Sequence, residues 1–116
     1  MSVVVSLSLA TICFVGQCYP ALVGSTTPPG HYQLSQRYVV SPGYGGDVLT
    51  FKEDPDDLFA IHRVWLGSPR ERRLQRLESN QVALRQGVTG GCINIAPETY
   101  AKLVECCSTA ELVVEG

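Results

Sequence analysis

A cysteine follows two glycines within residues 88–95, and a histidine lies 30 residues upstream. Glycine permits positive φ and a close approach of the backbone to a ligand, so Gly90 and Gly91 predict a tight turn that presents the thiol of Cys92. A thiolate is a strong nucleophile, and a histidine beside it in the fold can remove its proton. Cys92 and His62 are therefore candidates for a nucleophile and its base. The structural alternative is a buried cysteine with a hydrogen-bonded core histidine.

Apolar patterns predict the elements that would hold this pair. Residues 58–65 form an apolar run of strand length, in which His62 shares a face with Ala60 and Val64. Pro69 after Ser68 predicts the start of a helix, because proline suits the first helical position and serine the cap. This helix runs to residue 80.

In that helix, Leu74 and Leu77 are expected to face inward, three residues apart, with arginines around them. A second helix is predicted from Pro97 to about Cys107. Its expected inner face is formed by Tyr100, Leu103, Val104 and Cys107.

The rest of the chain predicts short strands and turns. A first strand over residues 2–14 turns at Gly16 into a second strand over 18–24, which Pro20 places at a sheet edge. Residues 41–47 predict a glycine-rich surface loop without a phosphate-binding pattern, so no nucleotide cofactor is expected. Further short strands are predicted at residues 31–34, 37–40, 48–51 and 111–115. The fold class is mainly β with two helices (α+β), in one domain over residues 1–116.

Composition indicates a globular protein. Of the 116 residues, 45% are hydrophobic and 17% charged, which allows one modest core. The net charge is −2, so no nucleic-acid partner is predicted. Charge is distributed unevenly, because six arginines fall between Arg63 and Arg85. That basic cluster faces either an acidic substrate or solvent.

The uncharged segment 2–16 resembles an exported leader only in part. A signal peptide needs a positive region before its apolar core, and none is present. Polar residues interrupt the segment too often for a membrane span. Its alternating valines favour a strand, and a cleaved leader remains the alternative.

Five cysteines suggest two different uses besides the candidate nucleophile. If Val15-Gly16 forms a two-residue turn, Cys13 and Cys18 face each other across a hairpin, where a disulfide or plain packing are both possible. Adjacent Cys106 and Cys107 are expected to be packing residues. No cysteine and histidine spacing suits zinc, so no metal is predicted.

Taken together, five segments resemble the L,D-transpeptidase catalytic domain (the YkuD-like family). The resemblance lies in their order along nearly the whole chain, and Thr89-Gly90-Gly91-Cys92-Ile93-Asn94-Ile95 resembles the family's cysteine signature. The others are Tyr19-Pro20-Ala21-Leu22-Val23-Gly24, Thr27-Pro28-Pro29-Gly30-His31-Tyr32, Ala60-Ile61-His62-Arg63 and Arg70-Glu71-Arg72-Arg73-Leu74-Gln75-Arg76-Leu77.

The resemblance implies a β-sandwich-like fold and cysteine acyl transfer on peptidoglycan stem peptides. It assigns Cys92 as the nucleophile and His62 as base and later acid. The N–H groups of Gly91 and Cys92 would stabilise the oxyanion, with Thr89 and Gly90 supporting the turn. Many members carry a histidine where this chain has Gly90, which removes one hydrogen-bond donor beside the thiol.

The resemblance also suggests how the substrate is held. Asn94 would bind the loop or substrate, and an arginine, Arg73 or Arg85 before others, would meet a stem-peptide carboxylate. Arg63 follows the histidine and is a further candidate, while the group that orients His62 stays open. No cofactor is implied.

Family membership would place the protein in the periplasm or cell wall, although the chain has no convincing signal peptide. The acceptor is a stem-peptide amine, an amine-bearing protein, or water, as in an L,D-carboxypeptidase. A non-catalytic cell-wall-binding domain on the same scaffold is the competing hypothesis. An unrelated secreted β-protein stapled by Cys13 and Cys18 would leave the Cys92 segment unexplained. The oligomeric state has no indication in the sequence.

Overall fold

The computed structural model describes residues 2–40 and 44–116, which form nine strands, three α-helices and one 3₁₀ turn. The strands are β1 (Ser2–Ser6), β2 (Thr11–Phe14), β3 (Gln17–Pro20), β4 (Gly30–Gln33), β5 (Ser35–Tyr38), β6 (Asp47–Glu53), β7 (Leu58–Arg63), β8 (Ile93–Ile95) and β9 (Glu111–Glu115). The helices are α1 (Arg73–Leu77), α2 (Val82–Arg85) and α3 (Pro97–Cys107), and the 3₁₀ turn is Pro69–Glu71. Within the described ranges, no helix is long and apolar enough to cross a membrane. Part of the predicted loop 41–47, residues 41–43, lies outside the described residues.

Two sheets carry the fold, which confirms the mainly β class. One has the strand order β3-β2-β1-β9-β4 and the other β5-β6-β7-β8. The pairs β1–β9 and β7–β8 are parallel, and the remaining pairs are antiparallel. The parallel pair β7–β8 aligns the histidine strand with the strand that follows the cysteine.

One hydrophobic core connects the two sheets with α3. Strand residues from both sheets and the inner face of the helix belong to a single cluster of buried side chains. Burial of this apolar surface is the main stabilising contribution, since each fully buried aliphatic side chain is worth about 2 kcal/mol. Its fully buried members include Val3, Ile12, Leu49, Ile61, Ile93, Tyr100, Leu103 and Leu112.

The first predicted strand, 2–14, is two strands. It breaks over residues 7–10, where the Ser6 hydroxyl accepts a hydrogen bond from the Leu9 N–H at 3.1 Å and Ala10 has φ 52°. Serine supports turns in this way, and the alternating valines conceal it. The segment 2–6 is a central strand between β2 and β9. The second predicted strand, 18–24, is shorter, ends at Pro20, and lies at the sheet edge as expected.

The predicted turn at Val15-Gly16 is confirmed. Both residues have positive φ, and Cys13 faces Cys18 across the hairpin. The two cysteines form a disulfide, with Cα atoms 4.0 Å apart. The sequence left open whether these two cysteines form a disulfide or only pack together, and the structure has the disulfide.

The predicted helix 69–80 is interrupted. Arg72 has φ 53°, a left-handed conformation that ends the 3₁₀ turn and precedes α1, and the Ser68 side chain makes no cap hydrogen bond. Leu77 is buried as predicted, but Leu74 is 38% exposed. The short helix α2 was not predicted.

The carboxy-terminal helix and strand agree with the prediction. Tyr100, Leu103 and Cys107 of α3 are buried, and Val104 is partly buried. Cys106 and Cys107 were expected to be packing residues, and this was wrong in part, since they form a disulfide with each other. Cys92 is the free cysteine.

Candidate active site

The register of β7 and β8 brings the two candidate residues to one place. His62 pairs with Asn94, and Ile61 with Ile93, so Cys92 precedes the pairing directly. Its Sγ is 3.6 Å from the backbone carbonyl oxygen of Leu58, to which the thiol donates. The thiol is partly exposed, because β8 begins one residue after the cysteine and leaves this part of β7 uncovered.

Hydrogen bonds within the turn 89–92 hold the cysteine. The Thr89 hydroxyl donates to the carbonyl of Cys92 at 2.5 Å and accepts the N–H of Gly91 at 3.1 Å. Gly91 has φ 129°, and a Cβ there would lie 2.5 Å from the ring of Phe59. Only glycine suits this position. Because its N–H is bonded within the turn, Gly91 serves as turn support.

A second turn supports the first from across the sheet. The hydroxyls of Thr26 and Thr27 donate to the carbonyls of Gly90 and Gly91, each at 3.0 Å. Thr27 also accepts the N–H of Gly24 at 2.9 Å. The threonine and proline turn that the sequence related to a family motif therefore holds the cysteine turn in place.

His62 is oriented by a backbone group. Its Nδ1 lies 2.7 Å from the carbonyl oxygen of Arg63, which accepts only if Nδ1 carries the proton. In the neutral ring, Nε2 is then unprotonated. The Tyr44 ring packs edge-on against the imidazole, with ring centres 4.6 Å apart. The orienting partner that the sequence left open is thus the Arg63 carbonyl.

Asn94 is fully buried and connects His62 with the cleft wall. Its side-chain oxygen accepts the Trp65 N–H at 3.1 Å and Nη1 of Arg73 at 3.0 Å. With the oxygen bonded to two donors, the amide nitrogen points to Nε2 of His62, at 3.4 Å. Asn94 therefore links the histidine and the arginine through its side chain and has no exposed surface.

Arg73 is fixed at the wall of the cleft. Its Nε donates to Glu71 at 2.6 Å, and its guanidinium lies 5.1 Å from the centre of the Trp65 ring. An arginine held by an ion pair and an aromatic face is ready to interact with a carboxylate at low entropic cost.

Both candidate catalytic groups are neutral at neutral pH. Burial raises the pKa of the Cys92 thiol, while the Ala60 N–H and the charge of Arg73 lower it in part. The pKa of His62 is lowered to about 4, mainly by burial and to a lesser extent by the charge of Arg73, while the hydrogen bond to the Arg63 carbonyl opposes this shift. The cleft therefore contains a neutral thiol and a neutral imidazole, and the thiol would need a base to become a thiolate.

Two clefts meet at the pair. One, of about 270 Å³, is polar and is lined by Tyr44, His62, Trp65, Arg73, Thr89, Gly90 and Cys92. The other, of about 240 Å³, is more apolar and is lined by Val39, Tyr44, Val48, Leu58, Ala60, His62 and Cys92. Both Cys92 and His62 therefore line two clefts.

The remaining predicted arginines lie elsewhere. Arg85 is buried, and its guanidinium donates to the carbonyls of Leu9, Ala10 and Ser79, so it holds the turn after β1 and does not line either cleft. Arg63 pairs with the buried carboxylate of Asp47 at 2.9 Å. Internal groups therefore occupy both guanidinium groups, and neither Arg85 nor Arg63 lines the two clefts at Cys92.

Tyr44 and Trp65 are site residues that sequence reasoning missed. Both line the polar cleft, and Trp65 was seen only as the end of an apolar run. The sequence offered one signal for them: Tyr44 is an aromatic residue in the glycine-rich loop, and Trp65 is an aromatic residue just after the histidine strand. Across residues 2–40 and 44–116, no group of three metal-binding side chains occurs.

Three solved structures share the fold. The L,D-transpeptidase of Xylanimonas cellulosilytica DSM 15894 (residues 123–326) matches with a TM-score of 0.61 at 14% identity. The L,D-transpeptidase from Mycobacterium smegmatis gives 0.59 at 18%, and L,D-transpeptidase 1 of Mycobacterium tuberculosis gives 0.53 at 16%. The chain therefore has the fold of L,D-transpeptidase catalytic domains.

The match covers 97%, 99% and 98% of this chain but 59%, 58% and 60% of the three solved chains, in the same order. The protein thus spans about three fifths of each neighbour's length. The sequence matches no model of a known protein family and no curated protein.

Proposed function

We propose that the protein is a peptidoglycan L,D-transpeptidase in which a stem tetrapeptide acylates Cys92. One observation carries this proposal: Cys92 and His62 line the same two clefts, and the bonded Nδ1 of the histidine leaves Nε2 as the base. The fold shared with three L,D-transpeptidases supports the substrate class.

In the first step, Nε2 of His62 takes the thiol proton while Sγ of Cys92 attacks the carbonyl carbon that precedes the terminal D-alanine. The resulting tetrahedral intermediate collapses, the C–N bond breaks, and His62 returns the proton to the leaving amine. A thioester remains on Cys92. The 3.4 Å contact from Asn94 is long for a hydrogen bond, so it orients the ring without preventing proton transfer.

In the second step, an amine attacks the thioester and its proton passes to His62, which then restores the thiol. The acceptor is the amine of another stem peptide, giving a 3→3 cross-link, or the amine of a protein. The second, apolar cleft supports this role, because it gives the acceptor its own approach to the thioester. With water as the acceptor, the same site would act as an L,D-carboxypeptidase.

The oxyanion would be stabilised by the backbone N–H of Cys92. Gly91 was the other expected donor, but its N–H already bonds to Thr89. One such donor is worth about 3 kcal/mol of transition-state stabilisation. Arg73 supplies the positive charge in the cleft, and we assign it to a carboxylate of the stem peptide.

The proposed location is the bacterial envelope, in the periplasm or cell wall. Disulfides persist in oxidising compartments, and this chain forms two, Cys13–Cys18 and Cys106–Cys107.

Gly90 replaces the family's histidine at a position where a Cβ would meet no described atom within 4 Å. The replacement therefore leaves space beside the thiol.

The test is mass spectrometry after incubation with a defined disaccharide tetrapeptide. We expect a thioester adduct on Cys92, loss of D-alanine, and a cross-linked dimer as product. A carbapenem should give one covalent adduct on the same residue. Hydrolysed tripeptide without dimer would instead identify the carboxypeptidase.

Cys92→Ala and His62→Gln are the informative variants. Cys92→Ala should give no adduct, whereas His62→Gln should still bind the peptide but acylate at least 100-fold more slowly, as expected for loss of a general base. An unmodified wild-type protein, or equal labelling of Cys92→Ala, would exclude catalysis and favour a wall-binding domain.

A further inference from the structure

Three clefts follow one another from the thiol along the helical segment, and each neighbouring pair shares an arginine. Arg73 lines both the polar cleft at Cys92 and a middle cleft of about 210 Å³. Arg72 lines both the middle cleft and an outer cleft of about 470 Å³, together with Arg70 and Arg76. Neighbouring clefts thus share lining residues, and we call the three clefts together the arginine groove.

The charge of this groove is only partly neutralised. Glu71 pairs with Arg73. Arg76 donates to the carbonyls of Leu84 and Gln86 and keeps its charge. The side chains of Arg70 and Arg72 are exposed and form no ion pair or hydrogen bond with the described residues. A protein with net charge −2 therefore carries a local positive groove that begins at its nucleophile.

The backbone at Arg72 and the walls of the middle cleft add to this argument. Arg72 has a left-handed conformation that favours glycine, and it lies where the helix is interrupted. Such strain persists at functional positions more often than elsewhere. Leu66 and Leu74, 57% and 38% exposed, also line this cleft, so it combines apolar walls with a guanidinium.

We propose that the arginine groove binds the acidic part of the peptide substrate that is remote from the bond attacked by Cys92. Arg72 recognises a carboxylate in the middle cleft, since a guanidinium can donate two parallel hydrogen bonds to it. The leucines hold the aliphatic portion beside that carboxylate. This inference rests on the proposed function, which places a peptide at Cys92.

Binding can be measured without turnover in the full-length Cys92→Ala variant. Trp65 is the one tryptophan of the chain and lies between the first and middle clefts, so its fluorescence reports occupancy. Two ligands are compared: a stem tetrapeptide with free internal carboxylates, and the same peptide with those carboxylates amidated. We expect amidation to weaken binding about tenfold, and Arg72→Gln to reduce that difference.

Two further substitutions act as controls. Arg72→Gly removes the guanidinium but keeps a residue that favours the left-handed backbone, so it should behave as Arg72→Gln does. Arg37 is exposed on β5 and paired with Glu53, away from the groove, so Arg37→Gln should leave the tenfold preference unchanged.

The outcomes separate this inference from the proposed function. The groove proposal would be wrong if Cys92→Ala bound the two peptides equally or bound neither of them. It would also be wrong if Arg37→Gln and Arg72→Gln lost the preference for free carboxylates to the same extent. If wild-type protein forms no thioester while Cys92→Ala still prefers the free carboxylates, the groove stands and the catalytic proposal fails.

Discussion

Arg73 donates a hydrogen bond of 3.0 Å to the buried side-chain oxygen of Asn94. Because that oxygen also accepts the Trp65 N–H, the amide can turn only its nitrogen toward His62. The charged residue of the cleft thus fixes the rotamer of the amide, and the amide favours the neutral imidazole. Arg73, Asn94 and His62 therefore form one connected unit.

Asn94→Asp should make His62 easier to protonate. An aspartate would place a carboxylate oxygen against Nε2 of His62, and a nearby negative charge favours imidazolium. We expect the pKa of His62 to rise above its value of about 4 and thioester formation to fall at least tenfold. Histidine NMR titration measures the first, and mass spectrometry the second.

The other histidine signal in those spectra belongs to exposed His31, which can be assigned with His31→Gln. It should not change in Asn94→Asp. An unchanged His62 titration would mean that the amide does not control the base.

His62 should make stability depend on pH between about 4 and 6.5. The pKa is about 4 when folded and 6.5 in the reference state, so in this interval only the unfolded chain takes up the proton. The free energy of unfolding therefore falls as pH is lowered through the interval, by roughly 3 kcal/mol in total. Above pH 6.5 this contribution is fully present.

Urea unfolding at several pH values measures the effect. His62→Gln removes the titrating group, so its stability should fall less on acidification than that of wild type. If the free energy of unfolding depended on pH in the same way in wild type and His62→Gln, the His62 ring would not be buried in its neutral form.

Arg73→Gln should make the thiol harder to ionise. The positive charge of Arg73 lowers the pKa of Cys92, against the larger effect of burial. Without it, the rate of alkylation by iodoacetamide should reach its midpoint at higher pH. Arg73→Lys keeps the charge and should stay close to wild type. The same alkylation profile in all three proteins would show that Arg73 acts only on substrate.

The sequence was sufficient where local chemistry decides the structure. The turn at Val15-Gly16, the helix that begins at Pro97 and the cysteine turn all follow from residue types at fixed spacing. The expectation that Cys92 and His62 share a cleft needed the family resemblance as well, since nothing local predicts that β7 and β8 are neighbours in parallel.

Other features depend on groups that leave no pattern in the sequence. The orienting partner of His62 is a backbone carbonyl, which every residue has. Arg85 looked available for substrate, but carbonyls about 75 residues upstream accept its hydrogen bonds. The interruption at Arg72 opposes the preference of its residue type, so tertiary packing decides it.

Gly90 and Gly91 provide a matched pair for the cysteine turn. At Gly91, φ is 129° and an added Cβ would lie 2.5 Å from Phe59, whereas at Gly90 a Cβ would meet no described atom within 4 Å. Gly91→Ala should lower the free energy of unfolding by about 3 kcal/mol, through backbone strain and overpacking together. It should also displace the thiol and stop carbapenem acylation.

Gly90→Ala should change stability by less than about 1 kcal/mol and leave acylation intact, since surface substitutions without new contacts have small effects. Thermal unfolding and adduct mass measure both properties on the same samples. Two results together would show that the turn does not depend on the conformation of Gly91. These are an equal loss of acylation in the two alanine variants and a stability of Gly91→Ala equal to that of wild type. A selective loss in Gly91→Ala would instead identify that conformation as the feature that positions Cys92 against β7.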